Sequence, residues 1–339
     1  NKAHVLFNKK SYAQAAEAYE EFLNHFPGHP RHLLALYQAG LTYLRLDRGG
    51  DAADRWETLV ALSPDAEIAE RAWVRAGDLY FQAEHYEDAK RCYQGLLDNF
   101  AGSPAAATGA LRLAQCDYNA GRDAEALAAY SEVTSRYPGT SIAQEAERGM
   151  ELALYRLGQN EDGAEILAEL VERYPTSSFA ADAQFQVARS RYDNGEYLSA
   201  ADEFRRVVSQ FPGFSAADRA YFLMGDAYAQ AGVTEDARLA YEQFLLFFAE
   251  SELRPTVQFR LGTLRFEEGD YMRAAVDFTT VLEAEVSSEM ASAALFNLAL
   301  CHRMLGANEE ARSLLEQYRA QYGSDERAAE IAYQLSDIH

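Results

Sequence analysis

Residues 135–141 read Ser-Arg-Tyr-Pro-Gly-Thr-Ser, "SRYPGTS", and this corner returns along the chain. It is "ERYPTSS" at 172–178 and "SQFPGFS" at 209–215, with "NHFPGHP" at 24–30 and "DNFAGSP" at 98–104 upstream in the same phase. The spacing is 37 residues or twice that. A fixed period of this order marks a tandem array, in which each unit buries its apolar face against its neighbours.

Other positions keep the same step. A small residue stands at Ala15, Ala52, Ala89, Ala126, Gly163, Ala200, Ala237, Ala274 and Ala311. Four residues after each comes a large apolar one: Tyr19, Trp56, Tyr93, Tyr130, Leu167, Phe204, Tyr241, Phe278 and Leu315. Glycine recurs at 121, 158, 195, 232, 269 and 306, and an aromatic residue closes the second helix from Phe26 to Tyr322. Four ladders in one register are not a chance pattern.

The unit around residues 180–215 shows the mechanics. "AADAQFQVARSRYDN" predicts a first helix, and Gly195 follows it as a left-handed helix end. "YLSAADEFRRVVSQF" predicts a second, with Tyr197, Ala200, Phe204, Val207, Val208 and Phe211 on one face. Pro212 stops it, lacking an amide hydrogen. Ser141, Ser178 and Ser215 are expected to cap the next helices, as is Ser103 with Pro104 at the first helical position. Small pairs such as Gly40/Ala52, Gly77/Ala89 and Gly225/Ala237 are expected where the two helices touch. Repeat five departs: Glu151 stands at a small position opposite Gly163, read as a size exchange.

Composition bounds the rest. The chain has 339 residues, 48% apolar and 12% aromatic, enough for a large helical core. A net charge of −22 argues against nucleic acid and against an anionic membrane surface, both of which need a positive footprint. No apolar run nears the roughly 20 residues that span a bilayer. Cys92, Cys116 and Cys301 are widely separated and read as buried structural thiols. Glu20-Glu21 and Glu309-Glu310 read as solvated faces. No phosphate loop, zinc-protease motif or nucleophile arrangement stands out, so neither enzyme nor cofactor is expected. His25, His29 and His32 crowd the first corner, but they straddle a turn without a nearby Cys or carboxylate, and a wet loop is expected rather than a metal site.

Gly77-Asp78-Leu79-Tyr80 with Ala89, Tyr93 and Leu96 resembles the tetratricopeptide repeat, as does Gly225-Asp226-Ala227-Tyr228 with Ala237, Tyr241 and Phe244. The resemblance covers essentially the whole chain and implies an all-α fold. The expected architecture is one continuous right-handed α-solenoid of about nine helix-turn-helix repeats over residues 1–339. The usual unit has 34 residues; the 37-residue form with its Tyr/Phe-Pro-x-Ser corner is similar to repeats of bacterial cell-envelope proteins. Those include the periplasmic partner of the Tol-Pal system and outer-membrane assembly lipoproteins. Asn1 and His339 fall inside first helices by phase, so the chain is expected to be a piece of a longer one, and its compartment is expected to be the periplasm, with the cytoplasm as the alternative.

The resemblance implies that first helices line the concave side. Their segments in repeats three to eight are nearly neutral, so the acidity lies mainly elsewhere. By analogy the inward positions include Tyr37 and Leu44, Phe81, Tyr118, Arg148 and Tyr155. Further along they include Phe185, Arg189 and Tyr192, then Phe222, Phe259, Phe266 and Phe296. Aromatic residues and arginine are what binding hot spots favour, while an apolar stripe at helical spacing also serves as core. A protein or peptide partner, basic or apolar, is the expectation. Homo- or hetero-oligomerisation through the ends and service to a larger enzyme are the alternatives. The lysine and asparagine clamp for acidic C-termini is not matched at Leu41, Asp78, Gln115, Leu152, Arg189, Asp226, Thr263 and Leu300.

Overall fold

The computed structural model describes residues 2–160 and 163–322, with Ile331, Tyr333 and Gln334. Asn1 and His339, and with them the expected unfinished ends, lie outside the described residues. Among these residues the regular elements are all helices, eighteen in number.

The chain forms two compact units, Asn1–Ile166 and Leu167–His339. The first holds α1 (Lys2–Asn8), α2 (Tyr12–His25), α3 (His32–Arg45), α4 (Gly49–Leu62) and α5 (Glu67–Gln82). It continues with α6 (Tyr86–Phe100), α7 (Pro104–Asn119), α8 (Asp123–Arg136) and α9 (Ser141–Leu157). The short α10 (Ala164–Arg173) begins at the end of this unit and runs into the second. There follow α11 (Ala180–Asp193), α12 (Tyr197–Gln210), α13 (Ala217–Gln230) and α14 (Thr234–Phe247). The last are α15 (Arg254–Glu267), α16 (Tyr271–Glu283), α17 (Ser288–Met304) and α18 (Asn308–Tyr322). Helices α1 to α9 pack consecutively, and so do α11 to α18. Within the first unit α3 also touches α5, α5 touches α7, and α7 touches α9; within the second α15 touches α17. These extra contacts join first helices to one another. The fold is an α-solenoid of helix-turn-helix repeats.

The step of 37 is visible in the backbone. Gly121, Gly195, Gly232, Gly269 and Gly306 have φ between 75° and 84°. Lys10, Asp47 and Glu84 stand in the same phase and also adopt positive φ, at 62°, 59° and 61°. Each of these turns closes its helix by a six-to-one bond, as in Glu196 N–H to Arg191 O at 2.9 Å and His85 N–H to Tyr80 O at 2.9 Å. The exception is Gly158, at φ −74°. The glycine ladder therefore breaks at repeat five, where the chain passes from one unit to the next.

The helix starts differ from the expectation. Thr140, not Ser141, caps α9, accepting from the Ala143 amide at 3.1 Å. Ser178 and Ser215 lie one residue outside their N-caps, Phe179 and Ala216. Ser103 is the N-cap residue of α7 with Pro104 behind it, but its hydroxyl makes no capping bond. In these three cases the corner's own backbone bonds set the start, such as Ala180 N–H to Ser177 O at 3.1 Å. Gly163 does not face Glu151 in a size exchange; the atoms nearest to an added Cβ belong to the backbone of Gly158.

The core runs along the large residues of the second helices. Tyr19, Trp56, Tyr93, Tyr130, Leu167, Phe204, Tyr241, Phe278 and Leu315 are all buried. The small residues opposite make room for these rings. A Cβ on Gly77 would meet Tyr93, one on Gly225 would meet Tyr241, and one on Gly40 would meet the indole of Trp56. The close approach is thus glycine to ring, four residues beyond the alanine that spacing paired with it.

Candidate functional site

The residues expected to face inward lie along the first helices, some in the middle and some in the last turn, and they divide by what they touch. In the first unit Tyr37 is buried against Trp56, with ring centroids 6.4 Å apart, while Leu44 about two turns on is exposed. Phe81 is half-buried, edge-on to Tyr86 at 5.8 Å, with the Arg112 guanidinium 5.1 Å above it. Tyr118 is half-buried under the Arg156 guanidinium, 3.8 Å from the ring centroid. Arg156 donates through Nε to Asp123 at 2.6 Å and through Nη2 to the Tyr118 carbonyl, which fixes it over the ring. Arg148 is exposed and Tyr155 half-buried.

In the second unit Phe185 is buried against Phe204 at 5.6 Å and Phe214 at 5.8 Å. Arg189 is exposed, 3.6 Å from Asp193. Tyr192 is half-buried, edge-on to Tyr197 at 5.4 Å, and its hydroxyl donates to Asp226. Burial first, and that acceptor second, push its phenol above the usual tyrosine range. Arg260 reaches Asp226 from the next repeat at 3.5 Å. Phe222 is half-buried; Phe259 packs on Phe278 at 5.5 Å and Phe266 on Tyr271 at 5.2 Å. Phe296 is buried, 6.1 Å from Tyr318.

One contact recurs in phase. Phe7–Tyr12, Phe81–Tyr86, Tyr192–Tyr197 and Phe266–Tyr271 are edge-to-face pairs that staple the end of a first helix to the start of its second. These rings are shared between the hairpin and the surface. Of the residues expected to face inward, Leu44 and Arg148 in the first unit and Arg189 in the second are exposed.

Charged groups between helices were not foreseen from spacing. Asp117 is 2% exposed and accepts from Lys90 at 2.7 Å and from Arg122 at 2.9 Å. Asp277, also 2% exposed, accepts from Arg265 at 2.8 Å and Gln258 at 2.6 Å. Each carboxylate is buried and paired with a partly exposed cation, so these are interlocks between neighbouring helices rather than reactive groups. The same spacing of 15 residues separates Asp78 from Tyr93 and Asp226 from Tyr241, yet Tyr93 donates to Asp78 at 2.8 Å whereas Asp226 accepts from Tyr192 instead, so phase alone does not give the tyrosine's partner.

His25 and His29 are held locally: Nδ1 of His25 lies 2.7 Å from the Glu21 carbonyl, and Nδ1 of His29 accepts from the Arg31 amide at 3.0 Å. Among the described residues no three His, Cys, Asp or Glu side chains gather as metal ligands. Nor is any helix among them long and apolar enough to cross a membrane.

A family model described as tetratricopeptide repeat matches residues 1–67, 74–140 and 259–326, more than half of the chain. Residues 152–243 match a second, described as outer membrane lipoprotein. No curated protein matches. Similar solved structures include a tetratricopeptide repeat protein from Parabacteroides merdae, at 18% identity over 79% of this chain and 98% of that one, TM-score 0.34. The C-terminal part of a repeat-containing protein from Cytophaga hutchinsonii gives 14% identity, 75% and 98% coverage and a TM-score of 0.40. A putative kinesin light chain from Podospora anserina gives 22% identity, 53% and 96% coverage and a TM-score of 0.40. With the 37-residue period, the glycine-to-ring hairpins and the family match in agreement, the chain belongs to the tetratricopeptide repeat family and resembles the repeat proteins of the bacterial envelope.

Proposed function

We propose that the protein is a non-enzymatic scaffold that holds a peptide or partner protein on the surface of its first helices, in a bacterial envelope complex. A role in protein interaction is what the repeat family supports; the surface and the complex are the further reading. The carrying observation is the division of the inward row. Buried rings build the hairpins, while Arg148 in the first unit and Arg189 in the second stand exposed, each on a helix that also carries a half-buried tyrosine, Tyr155 or Tyr192. Exposed arginine beside half-covered aromatic residues is the composition of an interaction hot spot. The match to an outer membrane lipoprotein family supports the envelope. We read residues 1–339 as one continuous array.

Photocrosslinking amino acids placed at positions 148 and 189, and at the exposed second-helix positions 132 and 206, would test it in the native bacterium. Defined adducts from the first pair alone are expected. Adducts from the second pair alone, or from neither, overturn the reading. Self-association is the second reading. It is favoured by Leu239, Leu246, Met272 and Val276, all exposed on second helices of the second unit. Sedimentation across a concentration series decides it: a strict monomer rejects it.

A further inference from the structure

Arginine in the first unit falls into two groups. Acidic residues outnumber basic ones 53 to 31 in the chain, so a guanidinium has carboxylates in excess to pair with. Arg55 reaches Glu20 at 2.8 Å, Arg91 reaches Glu57 at 2.7 Å and Arg122 reaches Asp117 at 2.9 Å. Arg71, Arg75 and Arg112 form no ion pair among the described residues. All three stand on first helices. Arg71 and Arg75 are exposed one turn apart on α5, and Arg112 on α7 lies one period, 37 residues, beyond Arg75. The two helices touch, and the Arg112 guanidinium crosses to the Phe81 ring of α5 at 5.1 Å.

The nearby carboxylates are engaged otherwise. Asp78 accepts from the Tyr93 hydroxyl at 2.8 Å. Glu145 on α9 accepts from Gln115 at 3.2 Å, and Gln115 in turn accepts from Arg112 at 3.0 Å. Glu67 and Glu70, in the first turn of α5, pair with neither arginine of that helix. Like charges four residues apart on a helix repel. Arg71 and Arg75 are therefore a local excess of positive charge, on a chain of net charge −22, that costs stability until an anion arrives.

We infer that the α5–α7 surface binds an acidic segment of a partner protein in extended form, its carboxylates taken by Arg71, Arg75 and Arg112. The inference rests on the scaffold reading above and names the chemistry of the partner. Net charge pointed to a basic or apolar partner; the unpaired groups point the other way. The spacing suits an extended chain. Four residues of helix place Arg71 and Arg75 about 6 Å apart along α5. A strand advances about 6.6 Å over two residues, so carboxylates on alternate residues meet successive guanidinium groups. Each guanidinium offers a planar fork of donors that matches a carboxylate.

The probe is a labelled synthetic twelve-residue peptide with glutamate at alternate positions and serine or leucine between, read by fluorescence anisotropy beside a twin with lysine for glutamate. The acidic peptide is expected to bind at least about tenfold more tightly than its twin, and more weakly as salt rises. Arg71→Glu with Arg75→Glu should cost about tenfold or more. Arg71→Glu alone should cost about threefold or more, yet melt no lower than the native protein. It sets a carboxylate four residues before Arg75, the favourable order for a helical pair. A purely structural arginine would not combine weaker binding with undiminished stability. Arg136→Glu, the charge-matched control at an exposed site on α8, should leave binding unchanged.

Equal binding of the two peptides, or indifference to the Arg71 and Arg75 changes, overturns the inference. A lower melting point for Arg71→Glu also overturns it, since Arg71 would then hold a contact within the protein. Equally tight binding of a single-stranded oligonucleotide of the same net charge overturns it too, because the surface would then answer to any polyanion. So does a dimer that Arg75→Glu dissolves and that competes with the peptide, since a second copy would then be the occupant. Crosslinks at position 148 together with equal binding of the twins keep the scaffold surface and reject only its charge preference. Absence of crosslinks at both 148 and 189 rejects the scaffold reading, and this inference with it.

Discussion

The ring of Tyr93 fills the space that a side chain on Gly77 would need: a Cβ built there would lie 2.7 Å from the Tyr93 Cε1. Gly77→Ala gains about 1 kcal/mol of helix propensity but displaces a fully buried ring, at about 1–3 kcal/mol. A net loss of about 1 kcal/mol is expected in urea unfolding. Gly225→Ala, against Tyr241 at 2.5 Å, should behave alike. Gly50 in α4 meets nothing within 4 Å, and Gly50→Ala should stabilise by about 0.5 kcal/mol. Equal effects at Gly77 and Gly50 would refute the packing account.

The left-handed turn residues predict a second contrast. Glu84 and Asp47 carry a side chain at φ near 60°, where an L-residue is strained by about 1–2 kcal/mol. Glu84→Gly should therefore raise stability by about 1 kcal/mol, after the entropy of the freer unfolded chain is subtracted. Gly195→Ala should lower it by about 1 kcal/mol or more. Thermal unfolding of the two variants should move in opposite directions.

Much of this was legible before any coordinates. The ladder from Tyr19 to Leu315 could be read as core because burial on one helical face must repeat with the unit. The partner of each glycine could not, since a ring four residues along reaches back over the alanine, and only packing shows that. Thr140 displaced Ser141 as a cap for a similar reason: both can cap, and one residue of helix length decides. The strained Lys10, Asp47 and Glu84 were concealed by their chemistry, although their phase pointed at them. For the site, spacing proposed a row but could not give its exposure. Tyr37, Phe185 and Phe296 are covered by residues of their own hairpins, whereas Arg148 and Arg189 are not.

The cysteines give a prediction in pH. Burial pushes the thiols of Cys92, Cys116 and Cys301 up to about 12. The thiolate is the reactive form, so the native protein should react slowly with a disulfide reagent at pH 8 and rapidly in denaturant. A thiol raised on folding stabilises fully below its unfolded value, about 8.5, and that contribution is lost as pH climbs toward 12. Burial also raises Tyr93, Tyr130 and Tyr241 above the ordinary phenol value, with the same sign at higher pH. Urea midpoints should fall steadily above about pH 9. A flat profile to pH 11 would contradict the burial of these groups.

Asp117 offers a test of the interlocks. Asp117→Ala leaves Lys90 and Arg122 facing each other without their shared acceptor, the Asp117 carboxylate. Both cations keep about a third of their surface in water, which trims the penalty to about 2 kcal/mol, below that of a fully buried pair. A double-mutant cycle of Asp117→Ala with Arg122→Ala should show coupling of about 1 kcal/mol or more; additive losses would show that the contact is idle.

The unbroken phase of the left-handed turns from Gly195 to Gly306 makes chain length a quantity that duplication can alter without redesign. Excising residues 196–232 would join Gly195 to Val233, so that the next second helix follows the same turn and every later ring keeps its opposite glycine or alanine. Growth or loss by whole periods is then nearly neutral to the fold, whereas a deletion of one residue would misalign everything beyond it. Such an array can change how much surface it offers a partner in steps of one hairpin, while each hairpin keeps the same internal chemistry.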